Sequence, residues 1–243
     1  MLRLIFIVLF LILVGLFSII ALPIEWIVGK IKPEAKIKSS LAIVRVIFKI
    51  ILFICGTKTT VIGLENIPKD EPVLFVGNHR GFFDIIISYS LMKRPTGYVA
   101  KKEIAKVPIL KHWMLNLKCL FLDRENPKEG LKTILTGIDY LKNGTSVVIF
   151  PEGTRNEGDG VLEFHQGSFK LADKSGVKII PMVSNNTAAV FENHFPLIRK
   201  AHTVLEFGQP IDIASMDKED KKKIAKITHD IVLKMYENNQ KLV

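Results

Sequence analysis

The strongest constraint on the fold is an uncharged apolar segment near the N-terminus, running from Leu4 to Leu22. As a helix it would be roughly 28 Å long, which is close to the hydrocarbon core of a bilayer at about 30 Å. A cleaved signal peptide is the competing interpretation. The run is long for that purpose, and its bulky end, Ile19 to Pro23, has no small-x-small cleavage site. The segment therefore predicts a membrane anchor.

Basic residues lie mainly on one side of this segment. Only Arg3 precedes it, whereas Lys30, Lys32, Lys36 and Lys38 follow it. Because positive charge is retained on the cytoplasmic side, the sequence predicts an inner (cytoplasmic) membrane protein whose remaining chain faces the cytoplasm.

A second hydrophobic segment, Ser40–Cys55, follows after the two breaks expected at Pro23 and Pro33. Arg45 and Lys49 would share one face of this helix, and such a narrow basic stripe suits a helix lying in the membrane interface. We expect either a helix pair dipping into one leaflet, or one span plus one interfacial helix. Two full spans would place both cations in hydrocarbon, and a buried core helix is a further alternative.

After Gly56 the composition becomes that of a globular domain, and short apolar runs alternate with amphipathic segments. The clearest helix is expected over Pro127–Leu141, capped by Asn126, and a long Lys-rich helix over Met216–Gln240. This alternation predicts an α/β fold, a mixed sheet flanked by helices. We expect two regions: a helical anchor over 1–57 and an α/β domain over 58–243. Strands are expected at Thr59–Ile62, Val73–Val76, Tyr98–Lys101, Cys119–Leu122, Ser146–Phe150, Lys178–Val183 and Thr203–Phe207.

The charge balance favours anionic partners. The chain has 34 basic and 24 acidic residues, a formal net charge of +10, which suits anionic lipid, a phosphorylated substrate or nucleic acid. Nucleic acid is not expected, because aromatic and basic residues are not interleaved. The cysteines, Cys55 and Cys119, lie in apolar runs and read as buried thiols, and no residue cluster has metal-ligand spacing.

One polar cluster follows the expected strand Val73–Val76. It contains Asn78, His79 and Gly81, and Asp84 opens the next helix. A carboxylate beside a histidine can hold one ring nitrogen as N–H and leave the other free to accept a proton. No Ser or Cys lies between the two, so the nucleophile would be a substrate hydroxyl or water. The alternative is a helix-capping Asp and a His hydrogen-bonded in a turn.

A second cluster follows the expected strand Ser146–Phe150 and reads Phe-Pro-Glu-Gly-Thr-Arg-Asn over 150–156. Ligands bind at the carboxyl edge of α/β sheets. Arg155 offers a planar fork for a phosphate, Glu152 can accept from hydroxyls, and Gly153 permits close backbone approach. Lys101 and Arg124 would add cations at this edge. The alternative is a turn with a surface Glu–Arg pair.

In combination these motifs resemble the glycerolipid acyltransferase family, most closely its 1-acyl-sn-glycerol-3-phosphate acyltransferases. The resemblance covers roughly residues 60 to 210 and departs in one block, where Pro108 begins Pro-Ile-Leu-Lys instead of Pro-x-x-Gly. The matching blocks are Asn78-His79-x-x-x-x-Asp84, Lys101-Lys102-Glu103-Ile104 leading to Asp123-Arg124, Phe150 to Arg155, Phe164-x-x-Gly167-x-x-x-x-Ala172, and Ile180-Pro181.

The resemblance implies acyl transfer from acyl-CoA or acyl-acyl-carrier protein to the sn-2 hydroxyl of lysophosphatidic acid, giving phosphatidic acid for phospholipid synthesis. It implies His79 and Asp84 as catalytic residues and no cofactor besides the acyl donor. Backbone N–H groups near Asn78–Gly81 would be candidates for stabilising the oxyanion. Two alternatives remain: another acceptor (glycerol-3-phosphate or another lysophospholipid), and a non-catalytic membrane lipid-binding protein. The substrate phosphate and glycerol would be bound by Glu152, Gly153, Thr154, Arg155, Lys101 and Arg124, with Asn78, Gly81 and Pro151 in support.

Overall fold

The computed structural model describes residues 1–243. The chain begins with two helices, α1 (Leu2–Ile31) and α2 (Pro33–Cys55). By length and composition, α1 is the one helix apolar enough to cross a membrane, and most of its surface is exposed. It therefore fits a membrane anchor.

The expected break at Pro23 is wrong, because α1 continues through this residue to Ile31. Proline removes only one hydrogen-bond donor from the helix, and packing against α2 and the α/β domain holds both halves of α1 in line. The chain turns instead at Lys32, and Pro33 opens α2 at its first position, where a missing N–H costs least.

The expected basic stripe on α2 is also wrong. Lys49 is exposed, but Arg45 turns inward, and its Nε donates to the carbonyl oxygen of Ser90 at 3.3 Å. The carbonyl oxygens in the last turn of a helix have no donor within that helix. The Arg45 guanidinium supplies a donor for the carbonyl oxygen of Ser90, and the side chain therefore points inward and not toward lipid headgroups. Arg45 thus connects the anchor to the third helix.

The rest of the chain folds into an α/β structure with a mixed, seven-stranded sheet, as predicted. Strand order is β1-β7-β6-β2-β5-β3-β4, and every neighbouring pair is parallel except the antiparallel pair β6–β7. The strands are β1 (Lys58–Ile62), β2 (Leu74–Gly77), β3 (Thr96–Lys101), β4 (Leu120–Leu122), β5 (Ser146–Ile149), β6 (Ile179–Asn185) and β7 (His202–Phe207). The remaining helices are α3 (Phe82–Leu91), α4 (Pro108–Asn116), α5 (Pro127–Lys142), α6 (Lys170–Ser175), α7 (Lys218–Lys222) and α8 (Ile224–Asn239).

Both faces of the sheet are covered, and alternate residues along β2 separate the two cores. Phe75 packs in the core that contains α1, α2, α3 and α4. Leu74 and Val76 point to the opposite core, beneath α5, α6 and α8. Successive side chains of a strand point to opposite faces, so a strand buried on both sides reads as a continuous apolar run.

Two helix boundaries differ from expectation. Helix α3 begins at Phe82, two residues before Asp84, which places the carboxylate in its first turn. The expected terminal helix Met216–Gln240 is divided into α7 and α8 near Lys223, and Asp217 caps α7 by accepting from Asp220 N.

Candidate active site

The two polar clusters meet at one edge of the sheet. Strands β2 and β5 are parallel neighbours, so the chain leaves both at the same edge. The backbone N–H of His79 donates to Glu152 Oε1 at 2.7 Å. In return, Asn156 N donates to the carbonyl oxygen of His79 at 2.8 Å. The structure thus joins the two motifs, which are far apart in the sequence.

At the centre lies a histidine–aspartate pair. His79 Nδ1 is 2.8 Å from Asp84 Oδ2. The Asp84 side chain is fully buried, and that of His79 is 16% exposed. An ionised carboxylate accepts and does not donate, so Nδ1 carries the proton and Nε2 holds a free lone pair. The imidazole also stacks on Phe150, with ring centroids 4.4 Å apart and planes 8° apart, which fixes its orientation.

Asp84 is held from four directions. Its Oδ2 accepts from the N–H groups of Arg80 at 2.5 Å and Gly81 at 2.8 Å as well as from His79. Its Oδ1 accepts from Thr187 Oγ1 at 2.5 Å. These four donors compensate the cost of burying a carboxylate, and they hold the carboxylate of Asp84 in contact with His79.

Thr187 is a site residue that the motifs did not identify. It follows β6, which is parallel to β2 and therefore ends at the same sheet edge. The sequence does offer a way to find it. The argument that polar residues after a strand gather at the carboxyl edge of the sheet also applies to those that follow the strand Lys178–Val183.

The two supporting residues of the first motif have structural tasks. The Asn78 amide bridges to β6, donating to Ser184 O at 2.9 Å and accepting from Ser184 N at 2.8 Å. Gly81 lies against a carboxylate from a distant segment: an added Cβ would be 2.5 Å from Glu192 Cδ. Glycine is required there for space, since its φ of −178° is ordinary extended backbone.

The expected oxyanion donors of the first motif are already engaged. The N–H of His79 donates to Glu152, and those of Arg80 and Gly81 donate to Asp84. The next N–H, that of Phe82, donates to Glu192 Oε1 at 2.6 Å. Three of the four N–H groups over Asn78–Gly81 therefore hold side-chain carboxylates in this structure, and the backbone group that would stabilise the oxyanion stays a prediction.

Glu152 connects both clusters. It is 5% exposed, and its Oε2 accepts from Leu162 N at 2.9 Å while Oε1 accepts from His79 N. Burial raises the pKa of the Glu152 carboxyl, and the two backbone donors oppose this rise. Because both oxygens are already used, Glu152 organises the backbone of the site.

The expected phosphate-binding cations differ in placement. Arg155 lies over the Phe82 ring, 3.9 Å from guanidinium carbon to ring centroid, beside the first motif. Arg124 Nη1 donates to the carbonyl oxygen of Gly153, which has a φ of +73°. Lys101 is exposed at the end of β3. The structure brings Arg155 to the His79 motif, whereas no hydrogen bond or ion pair joins Lys101 to it.

The other two residues of the second motif, Pro151 and Thr154, differ in exposure. Pro151 is buried, and its carbonyl oxygen accepts from His165 N at 3.1 Å, so it shapes the loop. Thr154 is exposed. The roles assigned to all these residues in substrate binding stay predictions.

Comparison with known proteins identifies the family. A family model described as acyltransferase matches residues 58–185. A 1-acyl-sn-glycerol-3-phosphate acyltransferase from Haemophilus influenzae is 32% identical over 180 residues, which cover 70% of this chain and 72% of that protein. The protein of that name from Borreliella burgdorferi is 29% identical over 198 residues, 82% of this chain and 79% of that one.

The fold has a solved counterpart. It is the crystal structure of the 1-acyl-sn-glycerophosphate acyltransferase PlsC from Thermotoga maritima, with a TM-score of 0.81 and 24% identity, covering 98% of this chain and 94% of that one. Since the family model spans more than half of the chain and includes both polar clusters, the resemblance read from the motifs is confirmed: the chain belongs to the acyltransferase family and is an acyltransferase.

Proposed function

We propose that this enzyme transfers an acyl group from acyl-CoA or acyl-acyl-carrier protein to the sn-2 hydroxyl of 1-acylglycerol-3-phosphate. The observation that carries the proposal is the His79–Asp84 pair, which has a free Nε2 and no protein nucleophile beside it. The relatives from Haemophilus influenzae and Borreliella burgdorferi carry the name of this activity.

In the proposed reaction, His79 Nε2 removes the proton of the acceptor hydroxyl as its oxygen attacks the thioester carbonyl. Asp84 stabilises the resulting imidazolium. The tetrahedral intermediate collapses, the C–S bond breaks, and the imidazolium returns its proton to the departing thiolate. No acyl-enzyme forms, and no metal is needed for any step. General base catalysis and positioning supply the rate.

The acceptor is proposed to be a phosphomonoester because of Arg155. Its guanidinium carbon lies 3.9 Å from the centroid of the Phe82 ring, and this contact restrains the position of its N–H fork. Such a fork matches phosphate oxygens. Arg124 and Lys101 would add positive potential, and Glu152 would act through the backbone it holds.

A thiol-release assay tests the proposal. Release of free thiol from acyl-CoA and from acyl-acyl-carrier protein would be measured with 1-acylglycerol-3-phosphate, glycerol-3-phosphate and lysophosphatidylcholine competing as acceptors. We expect the first acceptor to dominate, and we expect His79→Ala to abolish release. The matched control is His112→Ala, an exposed histidine on α4. Turnover by His79→Ala near that of the control would refute the assigned base, and preference for another acceptor would refute the assigned substrate.

We also propose that α1 and α2 embed in the cytoplasmic leaflet and leave the catalytic region in the cytoplasm. Trp113 of α4 donates its indole N–H to Ser18 Oγ, in the middle of α1, at 2.9 Å. A helix held at its middle by the catalytic region is hard to place across a full bilayer. Cysteine substitutions at Leu2 and Lys30 test this, since both ends should be reached only by cytoplasmic thiol reagents. Labelling of Leu2→Cys from outside would establish a span.

A further inference from the structure

Three phenylalanines form a chain of ring contacts that leads from the active site to the surface. The Phe82 and Phe191 ring centroids are 6.4 Å apart, and those of Phe191 and Phe195 are 5.5 Å apart. Phe82 is 47% exposed and Phe195 is 74% exposed. Large apolar side chains exposed together mark an interaction surface more often than isolated ones do.

The inner end of this chain is part of the candidate site. Phe82 carries the guanidinium of Arg155 on its ring face at 3.9 Å. The segment that bears Phe191 is fastened to the same place, because Glu192 accepts from Phe82 N at 2.6 Å. Phe195 is therefore linked through Phe191 and Phe82 to the group proposed to hold the acceptor's phosphate.

The segment that carries Phe195 ends beside the membrane helices. Residues 191–200, which we call the aromatic loop, continue to Lys200, whose side chain packs on Gly56 at the end of α2. Ile198 is buried in the same core as Cys55 of α2. Close to this end of α2, Phe53 is 85% exposed and lines an apolar groove with α1. The aromatic loop thus extends the apolar surface that the anchor offers to lipid.

The charges of the loop also suit a lipid surface. Arg199 and Lys200 are exposed beyond Phe195, and neither forms an ion pair. Apolar side chains flanked by cations are typical of elements that lie at the headgroup–acyl boundary of anionic membranes. A protein partner would also fit an apolar patch, but the continuity with α1 and α2 favours lipid.

We propose that the aromatic loop is a second membrane-contacting element, which places Phe195 at the headgroup–acyl boundary and opens the site toward the bilayer. The inference rests on the proposed function, because a lysolipid acceptor is the molecule that would use this route. A lysolipid would pass along the three rings to Arg155 with its chain in contact with apolar groups throughout, and the product would leave by the same route.

Site-directed fluorescence tests the position of the loop. Both native cysteines are buried, so Phe195→Cys gives one accessible thiol for the environment-sensitive dye NBD. The control is Leu131→Cys on α5, 56% exposed on the opposite side of the sheet. The full chain would be reconstituted in phosphatidylcholine–phosphatidylglycerol vesicles containing nitroxide-labelled lipid. We expect a blue shift and quenching at position 195, and neither change at position 131.

The other outcomes overturn the proposal. Equal quenching at both positions would mean nonspecific adsorption, and no quenching at 195 would mean that the loop stays in water. A dye at 195 that responds to added acidic carrier protein and not to lipid would assign the surface to a protein. Because fluorescence needs no turnover, quenching at 195 without acyl transfer would refute the proposed function alone.

A kinetic measurement adds a second criterion. Phe195→Ser should raise KM for long-chain lysolipid in vesicles about tenfold, given the value of burying a phenyl ring. The kcat for a short-chain, water-soluble acceptor should not change. An unchanged KM in vesicles would contradict the delivery role.

Discussion

Thr187 Oγ1 lies 2.5 Å from Asp84 Oδ1, the carboxylate oxygen that does not contact His79. The threonine is contributed by the segment after β6, and the pair is fully buried. Its hydroxyl thus fixes the rotation of the carboxylate about its own axis, and through it the plane of the imidazole.

The first prediction concerns this contact. Thr187→Val keeps the shape of the side chain but leaves Asp84 Oδ1 without a donor, a loss of about 1–3 kcal/mol. We expect kcat to fall roughly tenfold, with KM for both substrates unchanged. Thr187→Ser should retain the hydroxyl and restore most of the rate. An unchanged kcat in Thr187→Val together with a reduced kcat in Thr187→Ser would mean that the methyl group, and not the hydrogen bond, is what matters.

The two contacts of Asp84, with His79 and with Thr187, differ in how well the sequence predicts them. His79 and Asp84 are five positions apart, and a strand, a turn and a helix start bring them together by local geometry. Thr187 is about a hundred residues away, so its contact depends on β6 lying beside β2. That strand order is fixed by packing on both faces of the sheet, for which the local pattern gives no information.

The second prediction follows from Glu192, which sits against Gly81. Burial raises the pKa of its carboxyl above the ordinary value of 4.5. A raised acid pKa means that Glu192 contributes stability at low pH that is lost as pH rises through the raised pKa. Glu192→Gln keeps an acceptor for Phe82 N and removes this loss. The melting temperature of the variant, relative to wild type, should therefore increase as the pH rises from 4.5 through the raised pKa of Glu192.

The control for this measurement is Glu163→Gln, an exposed carboxyl on the loop before α6. Its melting temperature should follow that of wild type at every pH. A Glu192→Gln difference that is the same at all pH values would show that Glu192 is not desolvated in the folded state.

The sequence predicts most strand positions within two residues, because runs such as Ser146–Ile149 are apolar, short and bounded by turn residues. The errors fall where long-range packing decides. Pro23 continues a helix because neighbouring helices hold both halves, and Arg45 points inward because Ser90 O needs a donor. Neither partner is visible in the local sequence.

The third prediction tests the role of Arg45. Arg45→Ala removes a charged donor from the last turn of α3, which should lower the free energy of unfolding by about 1–2 kcal/mol. The melting temperature in detergent should fall by roughly 2–8 °C. Lys49→Ala is the matched control, since it removes the same charge from an exposed position on the same helix. Equal effects would indicate a shared surface role and contradict the inward contact.

The last prediction separates the charge of Arg155 from its geometry. Arg155→Lys keeps the charge but loses the planar fork that a phosphate can bind bidentately. We expect KM for 1-acylglycerol-3-phosphate to rise about tenfold or more, corresponding to at least ~1.4 kcal/mol. Phe82→Leu leaves the Arg155 guanidinium intact but removes the aromatic ring beneath it. The lost cation–π interaction is worth about 0.5–1 kcal/mol, so KM for the acceptor should rise about two- to fivefold. In both variants kcat should change little, because His79 is hydrogen-bonded to Asp84 and stacked on Phe150 and not on Phe82 or Arg155. Arg94→Lys is the control, since Arg94 precedes β3 at the opposite edge of the sheet. A fall in kcat at unchanged KM would show that Arg155 acts on the transition state and not on acceptor binding.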